Sequence, residues 1–257
     1  MLKILFLLTT VVLSFFYRAQ ENISITYTGN MGVYISGSQF SVLIDGLHTK
    51  YGDDYLFPTD SLVNKITTQL RPDAILFTHY HGDHYNSELS EKYLKTNHKS
   101  VLFGPEQVTK SIGNLKNNIY TIGTKDYIKQ NFNLGNTRIT GLKIDHAGKK
   151  HLSVENVGYI LNIDNKKILH VGDTDWLVEL NLFPQLKLSD EAIDIAILPY
   201  WMLLHDNASV LIQKYINPEH VIATHISPRI IEQELLDLKK KYPKIYFLKT
   251  LEKQIQL

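Results

Sequence analysis

Cysteine is absent from the 257 residues, which excludes any disulfide, a lipoprotein-type lipid anchor and a thiol nucleophile. An uninterrupted apolar run of membrane-spanning length is also missing: the longest, Ile4 to Phe16, falls short of the about 20 apolar residues a span needs. Charge of one sign is not in excess, since the formal net charge is +1 and the lysines are spread along the chain. The densest basic spots are Lys149-Lys150 and Lys239-Lys240-Lys241, the second late in an amphipathic helical pattern where cations suit the C-terminal dipole. No basic stripe asks for nucleic acid, and none is expected as a partner. Nor does any Gly-, Ser- or Pro-rich linker divide the chain.

What is present begins with a segment of recognisable type. Lys3, the apolar run Ile4 to Phe16 and the polar exit Tyr17-Arg18-Ala19-Gln20 describe a secretory signal peptide over residues 1–19, cut near Ala19-Gln20. Tyr17 departs from the usual preference for small residues before the cut, and an uncleaved anchor or a buried first helix is the alternative. Export of a cysteine-free chain implies a periplasmic or secreted protein, with no stable membrane insertion once the segment is removed. Residues 20–257 then suffice for one large α/β domain, with 44% hydrophobic residues to build its core.

The densest chemistry lies in Thr78-His79-Tyr80-His81-Gly82-Asp83-His84. It follows Pro72-Asp73 and the apolar Ala74-Ile75-Leu76-Phe77, which reads as a buried strand. Neutral imidazole is the commonest protein ligand for zinc, so His79 and His81 can share one cation while Asp83 and His84 serve a second. This His-x-His-x-Asp-His run is the signature of the metallo-β-lactamase superfamily, which the chain resembles here.

Two halves of the chain repeat a pattern. Asn30 to Gly37 and then Phe40 to Ile44 lead to Asp45; Asn156 to Ile163, a turn at Asp164-Asn165 and Ile168 to Val171 lead to Gly172-Asp173. Each is strand, tight turn, strand, aspartate. Pro72 to His79 also aligns without a gap with Pro218 to His225, and each is preceded by helical periodicity, over Ser61 to Leu70 and Ala208 to Ile216. Two such halves packed sheet on sheet with helices outside predict a four-layer αββα sandwich, which is also the fold the resemblance implies. A last helix is expected from Ser227 as N-cap, with Pro228 in its first turn, to about Lys240. Asp206 reads as the N-cap of the helix before it.

Strand ends add His146, Asp173 and His225 to the cluster. The resemblance implies His79, His81 and His146 on one metal, Asp83, His84 and His225 on the other, and Asp173 bridging both. His151, five residues beyond His146, is the alternative third histidine of the first site. His170 is expected to pack in its strand or brace a ligand, and Asp45 to hydrogen-bond the metal loop rather than bind metal. Tyr200 and Trp201 either wall a substrate pocket or close the core edge, and His205 is a candidate proton donor.

Such ligands suit two zinc ions, with manganese or iron compatible because no thiolate is involved. The expected activity is hydrolysis of a small molecule by metal-activated water at an ester, lactone, amide or phosphoester, with Asp83 and Asp173 as the carboxylates of the reacting centre. The pattern Asn-x-Gly-x-x-Ile with Val157-Gly158-Tyr159 looks most like the L-ascorbate-6-phosphate lactonase-like branch. A histidine-ligand β-lactamase, a phosphodiesterase and a non-catalytic metal-binding relative are the alternatives; cysteine-ligand β-lactamases are excluded.

Overall fold

The computed structural model describes residues 23–50, 52–113, 118–176 and 182–257. The expected signal peptide lies outside the described residues. Among those residues no helix is long and apolar enough to cross a membrane.

Among the described residues fourteen strands form two seven-stranded sheets. The first comprises β1 (Ser24–Gly29), β2 (Gly32–Ser36), β3 (Ser41–Ile44), β4 (Ala74–Leu76), β5 (Val101–Pro105), β6 (Ile119–Ile122) and β14 (Gln254–Gln256), in the order β14-β1-β2-β3-β4-β5-β6. The second comprises β7 (Gln130–Leu134), β8 (Thr137–Lys143), β9 (Val157–Ile163), β10 (Lys166–His170), β11 (Ile195–Pro199), β12 (His220–Thr224) and β13 (Ile245–Phe247), in the order β13-β12-β11-β10-β9-β8-β7. The α-helices among the described residues are α1 (Asp60–Lys65), α2 (Ser87–Thr96), α3 (Glu106–Thr109), α4 (Leu182–Leu186), α5 (Ala208–Tyr215) and α6 (Glu232–Lys241).

Alternation along the strands sorts the core into three seams. In β3, Val42 and Ile44 face the inter-sheet seam while Leu43 faces the other way; in β4, Ala74 and Leu76 face inward and Ile75 outward. The middle seam joins the sheets through residues such as Ile35, Leu76, Tyr159 and Ile197. Outside the first sheet, Leu62 of α1, Tyr93 of α2 and Val108 of α3 pack on Leu43, Ile75 and Leu102. Outside the second, Phe183, Ile212 and Leu238 pack on Leu169, Ala196 and Ala223. Three apolar seams between four layers are the αββα sandwich.

The halves repeat in topology. In β1 to β6 the pairings run antiparallel, antiparallel, then parallel three times, and β8 to β13 repeat that series. Hairpin β2–β3 therefore corresponds to β9–β10, and Asp45 to Asp173. The gapless match of Pro72–His79 with Pro218–His225 is not an equivalence: β4 corresponds to β11, while β12 corresponds to β5. The two segments look alike because both are buried parallel strands that end in Thr-His at the same edge.

Two helix starts differ from expectation. The last helix begins at Glu232, because Ser227 to Ile230 closes a turn of its own, with the Ile230 amide donating to the Ser227 carbonyl at 3.1 Å. Ile231 is extended at φ −63° and ψ 132° and separates that turn from α6. Ahead of α5 the N-cap is Asn207 rather than Asp206, and the Asn207 amide donates to His205 Nδ1 at 3.2 Å.

Candidate metal centre

All seven candidate ligands sit just beyond the carboxyl ends of strands, at one edge of the sandwich. The His79–His84 run follows β4, His146 follows β8, Asp173 follows β10 and His225 follows β12; Asp45, which is not one of the seven, follows β3 at the same edge. Ligand sites at carboxyl strand ends are the general pattern of α/β sheets. The histidine run is held short: Asn86 caps α2 by accepting from the Leu89 amide at 2.9 Å, and the amides of His84 and Tyr85 both donate to the His81 carbonyl. Gly172, at φ 61°, carries the chain into Asp173; a Cβ there would lie 2.5 Å from Asn156 Oδ1. His170 braces this turn by accepting from the Gly172 amide at 3.2 Å and donating to the Met31 carbonyl at 3.1 Å.

The side chains converge in two groups. His79, His81 and His146 place one ring nitrogen each within 4.8 Å of one another, and so do the donor atoms of Asp83, His84, Asp173 and His225. In the second group His84 Nε2 stands 3.4 Å from Asp83 Oδ2 and 3.3 Å from Asp173 Oδ2, and His225 Nε2 stands 3.5 and 3.2 Å from the same atoms. His151 is not in the first group; its ring lies 4.6 Å from that of His146 and 5.0 Å from that of His81, on the cavity wall. His205 is outside the cavity lining and engaged in its own turn.

The hydrogen bonds fix which ring nitrogens face inward. His84 Nδ1 donates to Asp45 Oδ2 at 2.9 Å. Thr78 Oγ1 donates to the same oxygen at 2.6 Å and stands 3.0 Å from His79 Nδ1, which donates to it. His146 Nδ1 donates to the Ala147 carbonyl at 2.8 Å. Each Nδ1 being committed outward, each Nε2 turns into the cluster. One carboxylate, Asp45, thus orients histidines of both groups.

Cations fit this donor set. His79 Nε2, His146 Nε2 and Asp173 Oδ1 are buried with no hydrogen-bond partner, and an unmet buried polar atom costs about 1–3 kcal/mol. Burial, together with the neighbouring imidazoles, pushes His79 well below the usual histidine range and His81 down to about 4, which keeps both rings neutral at pH 7, the form that can offer a lone pair to a cation. His146 is lowered chiefly by burial. The second group behaves oppositely. Burial alone would lower His84, but Asp173, Asp83 and Asp45 outweigh it and hold that ring well above the usual range. Burial would also lower His225, but the Asp173 charge and the hydrogen bonds it donates to both carboxylates raise it instead. Conversely, although burial raises them, His84 and His225 hold Asp83 and Asp173 well below the carboxylate range. Asp173 also acts on His79 and His146 of the first group, so its charge reaches both.

Above the groups opens a cavity of about 410 Å³, walled by Tyr55, Tyr200, Trp201 and His151. Trp201 packs edge-on against His225 at 4.6 Å and Tyr55 against it at 5.6 Å. Trp201 Nε1 donates to the Thr174 carbonyl at 2.8 Å, which fixes its ring at the cavity wall. No lysine or arginine is among the described residues lining it. Asp54, one of the lining residues, pairs with Arg229 at 2.6 Å. Besides Tyr55 and Thr78, the sequence leaves unassigned the buried Asn30, whose side-chain nitrogen lies 2.8 Å from Asp83 Oδ2 and 3.0 Å from His225 Nε2.

Residues 24–225 match a family model described as a β-lactamase superfamily domain. A metal-dependent hydrolase of Natranaerobius thermophilus is 27% identical over 205 residues, 74% of this chain and 86% of the relative. Another, of Bacillus velezensis, is 26% identical over 227 residues, covering 82% of this chain and 88% of its own. Among solved structures, Igni18, a metallo hydrolase from Ignicoccus hospitalis, superposes with a TM-score of 0.63 at 17% identity over 92% of this chain and 98% of that one, a likeness of fold.

Proposed function

The chain is a metal-dependent hydrolase belonging to the metallo-β-lactamase superfamily, and we propose that it cleaves an uncharged ester, lactone or amide of a small molecule with two cations at its strand-end edge. The observation that carries this reading is the convergence of seven donors, with buried Nε2 and carboxylate oxygen atoms lacking partners, on the floor of an open cavity. Zinc is the cation the imidazoles favour, and manganese or iron suits the carboxylate-rich group. When bound, such cations supply Lewis acidity and bring the pKa of water toward about 7.

The chain's own residues do the rest. His79, His81 and His146 would hold one cation and Asp83, His84 and His225 the other, with Asp173 between them. Asp45 keeps the His84 and His79 rings turned inward. Trp201, Tyr200 and Tyr55 present flat apolar surface to the group being cleaved and narrow the access of bulk water. The wall lacks the cations a phosphoester or polynucleotide would call for, which favours a neutral substrate over a phosphodiester. A lactone suits the resemblance to the lactonase-like branch.

A panel of chromogenic ester, lactone, cephalosporin and bis-phosphodiester substrates, offered to zinc-loaded protein, tests this. Turnover of a neutral ester or lactone, abolished by a chelator and restored by metal, is expected. Turnover of the phosphodiester alone would overturn the substrate class, and uniform silence would favour a non-catalytic metal-binding protein.

Export is part of the same reading. Lys3 and the run Ile4 to Phe16 motivate it, and N-terminal sequencing of protein from its own host should begin near Gln20. Intact Met1 on cytosolic protein would overturn it.

A further inference from the structure

Asn30 is built into the second donor group more deeply than its neutral side chain requires. It is 2% exposed, and its backbone sits in the left-handed region at φ 50°. Its carbonyl accepts both the His225 amide, at 2.8 Å, and the Tyr27 hydroxyl, at 3.0 Å. The same residue therefore fixes where His225 leaves β12.

Its carboxamide nitrogen contacts three of the four donors of the group: Asp83 Oδ2 at 2.8 Å, His225 Nε2 at 3.0 Å and His84 Nε2 at 3.3 Å. It also lies 3.1 Å from the Asp83 carbonyl. An amide nitrogen has two hydrogens, and the two Asp83 oxygens take both. The two imidazole nitrogens are then left facing an atom with nothing to offer them. Turning the amide by half a rotation puts its oxygen in nearly the same place, and the oxygen accepts no hydrogen bond from a described residue that would resist the turn.

We propose that Asn30 is a fifth donor of the second metal site: its amide oxygen faces the cation when Asp83, His84, Asp173 and His225 hold one. A cation at that point repels the positive N–H end of the amide and attracts the carbonyl end, so filling the site selects the turned orientation. The inference rests on the metal-dependent reading above. It makes the two sites chemically unequal. Three imidazoles form the first, whereas two carboxylates and an amide oxygen join two imidazoles in the second, a harder set that suits manganese.

The test uses the intact chain. One equivalent of zinc loads the three-histidine group, and manganese is then titrated calorimetrically. Asn30→Gly removes the amide while tolerating φ 50°, where alanine would be strained. Asn30→Asp keeps an oxygen and discards both hydrogens. Manganese affinity is expected to fall at least about tenfold in Asn30→Gly, with zinc affinity unchanged, and to be equal or tighter in Asn30→Asp. If Asn30→Gly does not fold, as judged by lost zinc binding, Asn30→Asp decides alone. Unchanged or tighter manganese binding in the glycine variant overturns the proposal. So does a tenfold loss in the aspartate variant, which would make Asn30 a hydrogen-bond donor to Asp83 and no ligand. No manganese uptake by the unaltered zinc-loaded chain would instead sink the two-site reading on which the proposal stands.

Discussion

Asp45 Oδ2 lies 2.9 Å from His84 Nδ1, and that contact ties the end of β3 to the end of the histidine run. The same oxygen accepts from Thr78 Oγ1 at 2.6 Å, and Oδ1 accepts from the Thr78 amide at 2.8 Å. Asp45 itself is fully buried and stands at φ 46°, where aspartate is better tolerated than most residues. In the second half its topological counterpart is Asp173, a member of the donor group. The duplicated hairpin has thus yielded one aspartate that orients and one that is placed to bind.

Asp45→Asn should weaken zinc binding in both groups, because an amide nitrogen cannot accept the protons of His84 and Thr78. Loss of such an orienting partner typically costs 10–100-fold in metal affinity. Competition against a chromogenic chelator checks this; a loss confined to the second group would show that the Thr78 relay to His79 carries no weight.

The second group makes metal binding depend on pH. In cation-free protein, the carboxylates raise His84 and His225 above the ordinary histidine value of about 6.5. A raised histidine stabilises fully below the unfolded value, and that contribution is lost as pH rises through the folded value. Metal-stripped protein should therefore lose melting temperature on the alkaline side of neutrality. Zinc replaces the departing protons there, so its stabilising increment should grow with pH. Melting curves from pH 6 to 9 with chelator and with zinc check the trend; an increment that shrinks with pH would contradict it.

His146 and His151 should behave differently. His146 Nε2 is buried and partnerless in the first group, whereas His151 stands on the cavity wall. His146→Ala is expected to lower zinc affinity of the first group by more than 100-fold, beyond the range typical of an orienting residue. His151→Ala should leave metal content unchanged. The reverse ranking in a zinc titration would reassign the third ligand.

Much of the arrangement could be read in the sequence because its causes are local. The His-x-His-x-Asp-His run, the buried strand before it and the turn at Asp164-Asn165 need no distant partner to be recognised. His146, Asp173 and His225 are legible as polar residues ending apolar runs. Other features depend on contacts far apart in the chain. Asn30 lies 53 residues from Asp83 and 195 from His225, and only the packing of the two sheets brings them together. Its sequence signal, an asparagine beside glycines at a strand boundary, reads as an ordinary turn. Ser227-Pro228 likewise carries a helix-start signal, but it forms a turn before α6, where Ile230 packs on the second sheet's helical seam. The false equivalence of β4 and β12 arose because shared burial and a shared end at the site impose the same residue types.

Trp201→Ala should act on substrate binding. Its ring covers His225 at 4.6 Å and walls the cavity, and its removal is expected to raise KM for an aromatic or apolar ester roughly tenfold, or about 1.4 kcal/mol, with kcat little changed. Trp201→Phe should recover most of the loss. A fall in kcat with unchanged KM would place the ring in the chemical step instead.

The most direct measurement is the metal content of the reloaded chain. Protein stripped with chelator, supplied with excess zinc and freed of unbound ions should hold close to two ions per chain by elemental analysis, one for each donor group. A plateau at one ion or fewer would contradict a two-cation centre.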